Sequence, residues 1–271
     1  MPFFDGSRGR VHHEAWLPDG EVRAVVVFCH GGFGEHLGLY EVLGRRLPRD
    51  GIAMHALDAA GHGRSDGERG LMLWDDYVDD ARTLAHLARA RHPDRPLVLM
   101  GHSGGGVAAL LLAQRSPDLA QALVVSAPPA QPLPWVEALA EEGVEEVESP
   151  DPAEMLSTRP EYLHALRTDP LVYRGPLPPQ SIEALMRTWP EIAAGVAEGR
   201  PSIPTLFLHG TSDPMVPVEY SQALVERLPR ATLHTFPGDL HDLFNEHDRD
   251  AVHDVAAEFV LAQVRPAAAR T

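Results

Sequence analysis

The segment LVLMGHSGGGVAALLLAQ, residues 97–114, constrains this chain more than any other. It begins as a short apolar strand, breaks at Gly101-His102-Ser103-Gly104-Gly105 and resumes as a helix of small residues. A strand and a helix must therefore pack against each other with almost no space between them. In so sharp a turn Ser103 takes a strained backbone conformation that lifts its hydroxyl above the end of the sheet. Side chains two residues before or after it would strike the neighbouring strand and helix, and glycine at 101 and 105 removes that collision. The helix also points free N–H groups and its positive dipole end at the hydroxyl, so negative charge forming there meets donors, the Gly104 N–H first among them. G-x-S-x-G alone equally suits a glycine-rich turn that only packs a helix on a sheet, and the rest of the chain decides between the two.

With 271 residues, 44% of them hydrophobic, the chain is long enough for one large α/β domain carrying an insertion. A formal charge of −16 without any basic cluster argues against nucleic acid and against strong attraction to anionic membrane surfaces, and favours neutral substrates. There is no lysine: all 23 basic residues are arginine. That excludes a Schiff-base lysine and a phosphate-gripping P-loop lysine, and neither glycine cluster has the spacing of a dinucleotide fingerprint. The single cysteine, Cys29, sits in the apolar run 24–29 and reads as a core residue rather than a reactive thiol. The opening MPFFDGSRGR has no signal-like apolar stretch, and no apolar run reaches membrane-spanning length, so the expectation is a cytoplasmic protein.

Apolar runs at 11–16, 22–29, 52–58, 97–101, 122–126, 205–209 and 232–236 read as strands. Helical spacing marks 39–47, 74–91, 104–115, 218–228 and 251–264. The alternation predicts a mostly parallel central sheet covered by helices on both faces, with an N-terminal hairpin turning at Pro18-Asp19-Gly20. Between 128 and 201 prolines multiply, glutamates run from Glu141 to Glu148, and no good strand appears. This stretch is expected to be a helical cap inserted between two parts of the core, 1–127 and 202–271. Seventy proline-rich residues would make a meagre core of their own. The glutamate run is a solvated face, and the tail after Val264 is expected to fray.

A serine hydroxyl needs a base, a group to hold that base, and donors for the oxyanion. Asp213 follows the 205–209 strand in HGTSDP, and His241 follows the last strand in PGDLHD. Asp239 and Asp242 are read as cap residues, while His247 and His253 are rival bases that look exposed. The order Ser103, Asp213, His241, each beyond its own strand, is that of α/β-hydrolases. The loop His30-Gly31-Gly32-Phe33-Gly34-Glu35-His36, directly after the second strand, can turn an N–H of Gly32 or Phe33 toward the same oxyanion. Its histidines share no recognisable metal-ligand spacing with a carboxylate, so neither metal nor cofactor is expected. The candidate substrate contacts are Phe33, His102, Leu133 and Trp135.

These motifs together resemble the monoacylglycerol lipase and lysophospholipase-like branch of the α/β-hydrolase superfamily. The similarity runs through His30-Gly31, Gly34-Glu35-His36, DAAGHGRSDG at 58–67, GHSGGG, Asp169-Pro170-Leu171-Val172-Tyr173 and HGTSDPMVP. It implies an α/β-hydrolase fold with a helical cap, an acyl channel, a Ser103-Asp213-His241 triad and hydrolysis of a small-molecule acyl ester bearing one long or medium chain. At most transient membrane-surface contact through the cap is expected. Two departures stand out: the loop carries one residue more than the usual HG-x-GEH, leaving Gly32 and Phe33 as competing donors, and Gly104 replaces a side chain usually present after the serine. Acyl transfer to another nucleophile, or a ligand-binding protein that has kept the fold, are the other readings the residues allow.

Overall fold

The computed structural model describes residues 2–32, 34–142 and 153–264. Its eight strands are β1 (Phe3–Gly6), β2 (Gly9–Trp16), β3 (Ala24–Cys29), β4 (Ile52–Leu57), β5 (Leu97–His102), β6 (Ala122–Ser126), β7 (Thr205–Gly210) and β8 (Ala231–Phe236), in the order β1-β2-β4-β3-β5-β6-β7-β8. From β4 to β8 neighbouring strands are parallel, and β2 is antiparallel to both β1 and β4. Every residue of β3 to β7 is buried, as strands covered on both faces must be.

The period-two alternation of strands splits those residues between two cores. Val25, Val27, Leu97, Leu99, Val125 and Phe207 face one side with residues of α2 (Trp74–Arg91), α3 (Ser103–Arg115), α7 (Pro179–Ala197) and α8 (Val218–Arg227). Val26, Phe28, Met54, Val98, Met100 and Leu208 face the other with α1 (Glu41–Arg46) and α9 (Arg249–Val264). Cys29 is fully buried, and burial pushes its thiol pKa up to about 12, so it is a packing residue.

The hairpin expected at Pro18-Asp19-Gly20 does not form. Antiparallel pairing joins β2 to β4, His13 opposite Leu57, and β4 stands between β2 and β3, so residues 17–23 cross over it. The hairpin that does form turns between Gly6 and Gly9 and adds β1, a short edge strand the sequence pattern did not suggest. The helix expected at 39–47 is shorter, since α1 is flanked by single 3-10 turns at Leu37–Tyr40 and Leu47–Asp50.

Among the described residues, β6 and β7 are separated only by helical elements, α4 (Pro134–Glu142), α5 (Ala153–Leu156), α6 (Pro160–Thr168) and α7. α7 lies against α2, α3, α4 and α8. Of the acidic run, Glu141 is described and exposed, while Glu145, Glu146 and Glu148 lie outside the described residues. The phrase Asp169-Pro170-Leu171-Val172-Tyr173 returns the chain to the core: Tyr173 N–H donates to Gly34 O at 3.0 Å, and Arg69 donates to Leu171 O at 2.8 Å.

Candidate active site

Three loops at the carboxyl ends of β5, β7 and β8 bring the key side chains together. Ser103 has φ +48°, the left-handed region that a non-glycine residue occupies only under constraint. The constraint is steric: a Cβ at position 101 would fall 2.2 Å from Gly105 O, and one at 105 would fall 2.1 Å from His30 O. His241 Nε2 lies 2.9 Å from Ser103 Oγ, and His241 Nδ1 lies 2.7 Å from Asp213 Oδ2. With Nδ1 protonated and donating to the carboxylate, Nε2 is left as acceptor for the serine hydroxyl.

Asp213 Oδ1 accepts the backbone N–H groups of Met215 and Val216 at 2.8 and 3.0 Å. His209 Nε2 lies 3.2 Å from Asp213 Oδ2 and 2.8 Å from Val216 O, and its Nδ1 is 2.7 Å from Ser221 Oγ. Burial alone would raise the Asp213 pKa, but the facing His241 and these donors outweigh it and hold the carboxylate well below the usual range. Burial likewise disfavours the His241 imidazolium, yet the Asp213 charge, with Asp242 adding to it, leaves that ring above its ordinary pKa.

Gly104 and Gly32 face each other across the mouth of the turn. A Cβ on Gly104 would stand 3.2 Å from both the N and the Cα of Gly32, so this close approach favours a residue without a side chain after the serine. The Gly32 N–H has no hydrogen-bond partner among the described residues. Gly104 is fixed from behind by the Trp74 indole, which donates to its carbonyl at 2.9 Å. Phe33, the competing donor and candidate substrate contact, lies outside the described residues.

The other expected contacts, His102, Leu133 and Trp135, each have packing or hydrogen-bond partners within the protein. His102 is fully buried behind His241, ring centroids 4.9 Å apart, with Nδ1 3.2 Å from Ser126 Oγ. Leu133 is buried in the first core, and the half-buried Trp135 donates its indole N–H to Met215 O at 3.0 Å. Of the rival bases, His247 is exposed as expected. His253 is a correction, because it is fully buried and its Nε2 lies 3.0 Å from Phe244 O. The helical periodicity of α9, which turns residue 253 inward, was the signal for it.

His30 is equally committed: its Nε2 accepts from Ala59 N–H at 3.0 Å while Nδ1 lies 2.6 Å from Gly31 O, and burial takes its pKa down to about 3. It braces the loop rather than offering a free ligand atom. Trp74 and His209 were not singled out from sequence. His209 carried a signal in its place within HGTSD, whereas Trp74 carried none, since its partner lies thirty positions away.

A sheet of this order, with a serine at a strand-to-helix turn and an aspartate and histidine meeting it from later strands, defines an α/β-hydrolase. The chain belongs to the serine aminopeptidase, S33 family (Hydrolase_4), whose pattern it matches over residues 20–248. The monoacylglycerol lipase of Mycolicibacterium smegmatis is 34% identical over 278 residues, covering 96% of each chain. The caffeoylshikimate esterase of Arabidopsis thaliana is 28% identical over 283 residues, 97% of this chain and 83% of that protein. The crystal structure of Paleococcus ferrophilus monoacylglycerol lipase superposes with a TM-score of 0.78 at 26% identity, covering 93% of this chain and 99% of that one.

Proposed function

We propose that this chain hydrolyses a neutral carboxylic ester, most suitably monoacylglycerol or a related lysolipid, through an acyl-enzyme on Ser103. The observation that carries the reading is the continuous relay from Ser103 Oγ to His241 Nε2 at 2.9 Å and from His241 Nδ1 to Asp213 at 2.7 Å. His241 takes the hydroxyl proton as Ser103 attacks the ester carbonyl, and Asp213 stabilises the imidazolium that forms. The tetrahedral oxyanion is held by the Gly104 N–H and by that of Gly32 or Phe33. Collapse of the intermediate expels the alcohol, which receives its proton from His241. Water, activated by the same ring, then releases the acid.

Residues 128–201 act as a cap over the acyl site in this reading, with 1–127 and 202–271 forming the hydrolase core. Support comes from the helical elements between β6 and β7 and from the hydrogen bonds tying α5, the residue after it and α6 to the histidine loop: Asp242 N–H to Leu156 O at 2.8 Å, Ser157 Oγ to Asn245 O at 2.9 Å and Tyr162 Oη to Asp242 Oδ2 at 2.5 Å. The lipid substrate is favoured by the net charge of −16, which disfavours anionic head groups, and by the full-length likeness to a monoacylglycerol lipase. Among the described residues no helix is long and apolar enough to cross a membrane. The reading includes a cytoplasmic location, supported by a lone cysteine that is buried and unpaired, with at most transient contact of the cap with a lipid surface.

A fluorophosphonate probe is expected to label the native protein and leave Ser103→Ala unlabelled, and monoacylglycerol to be turned over faster than acetyl or bulky aromatic esters. Equal labelling of both proteins would end the Ser103 assignment. Preference for acetyl or aromatic esters would end the lipid assignment alone.

A further inference from the structure

Behind His241 lies a buried cluster that the reaction above leaves unused. Glu35 from the loop after β3, His102 at the end of β5, and Asp242, next in sequence to His241, each bring one ionisable or ligand-type atom to within 4.8 Å of the others. Glu35 is 4% exposed, and His102 and Asp242 are fully buried. No arginine reaches either carboxylate within ion-pair distance among the described residues, and the chain has no lysine. The donors they meet are all neutral. Tyr40 Oη donates to Glu35 Oε2 at 2.5 Å, Tyr162 Oη of α6 donates to Asp242 Oδ2 at 2.5 Å, and Asn245 Nδ2 donates to the same oxygen at 2.9 Å.

Two carboxylates buried this close together, with no arginine in reach among the described residues, hold both charges only at a high electrostatic cost, and sharing one proton removes it. Two polar atoms of the cluster are left unsatisfied. Asp242 Oδ1 and His102 Nε2 are both buried without a hydrogen-bond partner, and they face each other at 3.9 Å. At that separation neither atom satisfies the other, so Asp242 Oδ1 is free to carry or accept a proton within the pair, while His102 Nδ1 lies 3.2 Å from Ser126 Oγ.

We propose that Glu35 and Asp242 share a single proton at neutral pH, and that the one charge they retain stands behind His241 as a positioning pair for the proton relay. The groups facing that relay are Asp213 and His209 from the β7 side, Ser103 and His102 from the β5 turn, Tyr40 after β3, Tyr162 from α6, and Asp242 itself. Burial raises both carboxyl pKa values, and for Glu35 the charge of Asp242 adds to it, in accord with this geometry. The pair acts through His241 and touches no reacting atom. Because Tyr162 belongs to α6, the same pair also links that helix to the histidine loop.

Infrared spectroscopy of the wild-type protein at neutral pH is expected to show the carbonyl stretch of one buried protonated carboxyl, absent from both Asp242→Asn and Glu35→Gln and kept in Ser103→Ala. The second arm is the pH profile of kcat/KM, and it rests on His241 acting as the base. In Asp242→Asn the ratio of kcat/KM at about pH 6 to that at about pH 8 should rise about threefold, because the pair's charge then rests wholly on Glu35 and Asp242 no longer favours the imidazolium. In Glu35→Gln it should fall about threefold, because Asp242 then keeps the whole charge next to His241. A purely structural pair would move both ratios in one direction or neither. A missing band, a band that survives in both variants, or ratios that do not diverge would overturn the proposal. So would a rise in melting temperature on adding Zn2+ that disappears in Asp242→Asn, since a cation would then take the proton's place. A missing band leaves the Ser103 reading intact, and an unlabelled native Ser103 leaves the band untouched, so the two failures are distinguishable.

Discussion

The two sides of the serine–histidine contact are built by opposite means. The serine side is held by sterics: a strained φ at Ser103, glycines whose missing Cβ atoms would sit about 2 Å from backbone carbonyls, and a helix start that leaves its N–H groups free. The aspartate–histidine side is held by polar bonds, with Asp213 engaged by two histidines and two backbone donors, and with Asp242 and Glu246 tied to residues 156–158. Steric positioning is rigid but tolerates no added atom. Polar positioning tolerates substitution of shape but fails when charge or proton count changes.

The largest effect should come from changing charge on the polar side without changing shape. Asp213→Asn is expected to lower kcat about 10⁴-fold with circular dichroism unchanged, because the amide stabilises the wrong tautomer of His241. A loss below tenfold would show that Asp213 is not what holds the ring.

A smaller effect of a different kind is expected on the steric side. Gly105→Ala places a methyl about 2 Å from the carbonyl oxygens of His30 and Cys29, and should destabilise the fold by about 1–3 kcal/mol in urea titration. Unchanged stability would mean that the turn can open, and the contrast between the two sides would dissolve.

The effect with the smallest change per pH unit, and one partly cancelled by groups of opposite sign, comes from histidine titration. His30 is held down to about pKa 3, and His62, His55 and His253 to about 4, each chiefly by burial. In the unfolded chain these rings bind protons near the ordinary imidazole value of 6.5, so unfolding becomes easier as pH falls from about 6.5 to about 4, by at most ~1.4 kcal/mol per ring per pH unit. His241 has the opposite sign: its contribution is complete below the unfolded pKa and is lost as pH rises through the raised folded value. Glu35 and Asp242, with raised values, also gain on acidification and partly offset the fall. Denaturant midpoints that do not decline between about pH 6.5 and 4 would show that the buried rings are not kept neutral.

The parallel strands were legible because a strand covered on both faces is apolar throughout, and the Ser103 turn because its glycines obey a steric rule that spans five residues. Legibility failed where a partner is remote. The antiparallel strand β2 pairs with β4 instead of turning back at Pro18-Asp19-Gly20. Trp74 was silent because its bond is to a backbone carbonyl thirty residues on. Asp242 read as an ordinary cap residue because nothing adjacent in sequence shows that Glu35 lies beside it.

By itself the sequence determined what local covalent geometry and periodicity can impose: an alternating α/β chain, a serine forced into a left-handed turn, and a carboxylate and an imidazole each placed just past a strand. Only the tertiary structure brought the imidazole of His241 to 2.9 Å from Ser103 Oγ, and decided which carboxylates lie close together in the interior. Contacts across more than a hundred residues depend on strand order, and protonation depends on burial and on neighbours in space, neither of which is written at any single position.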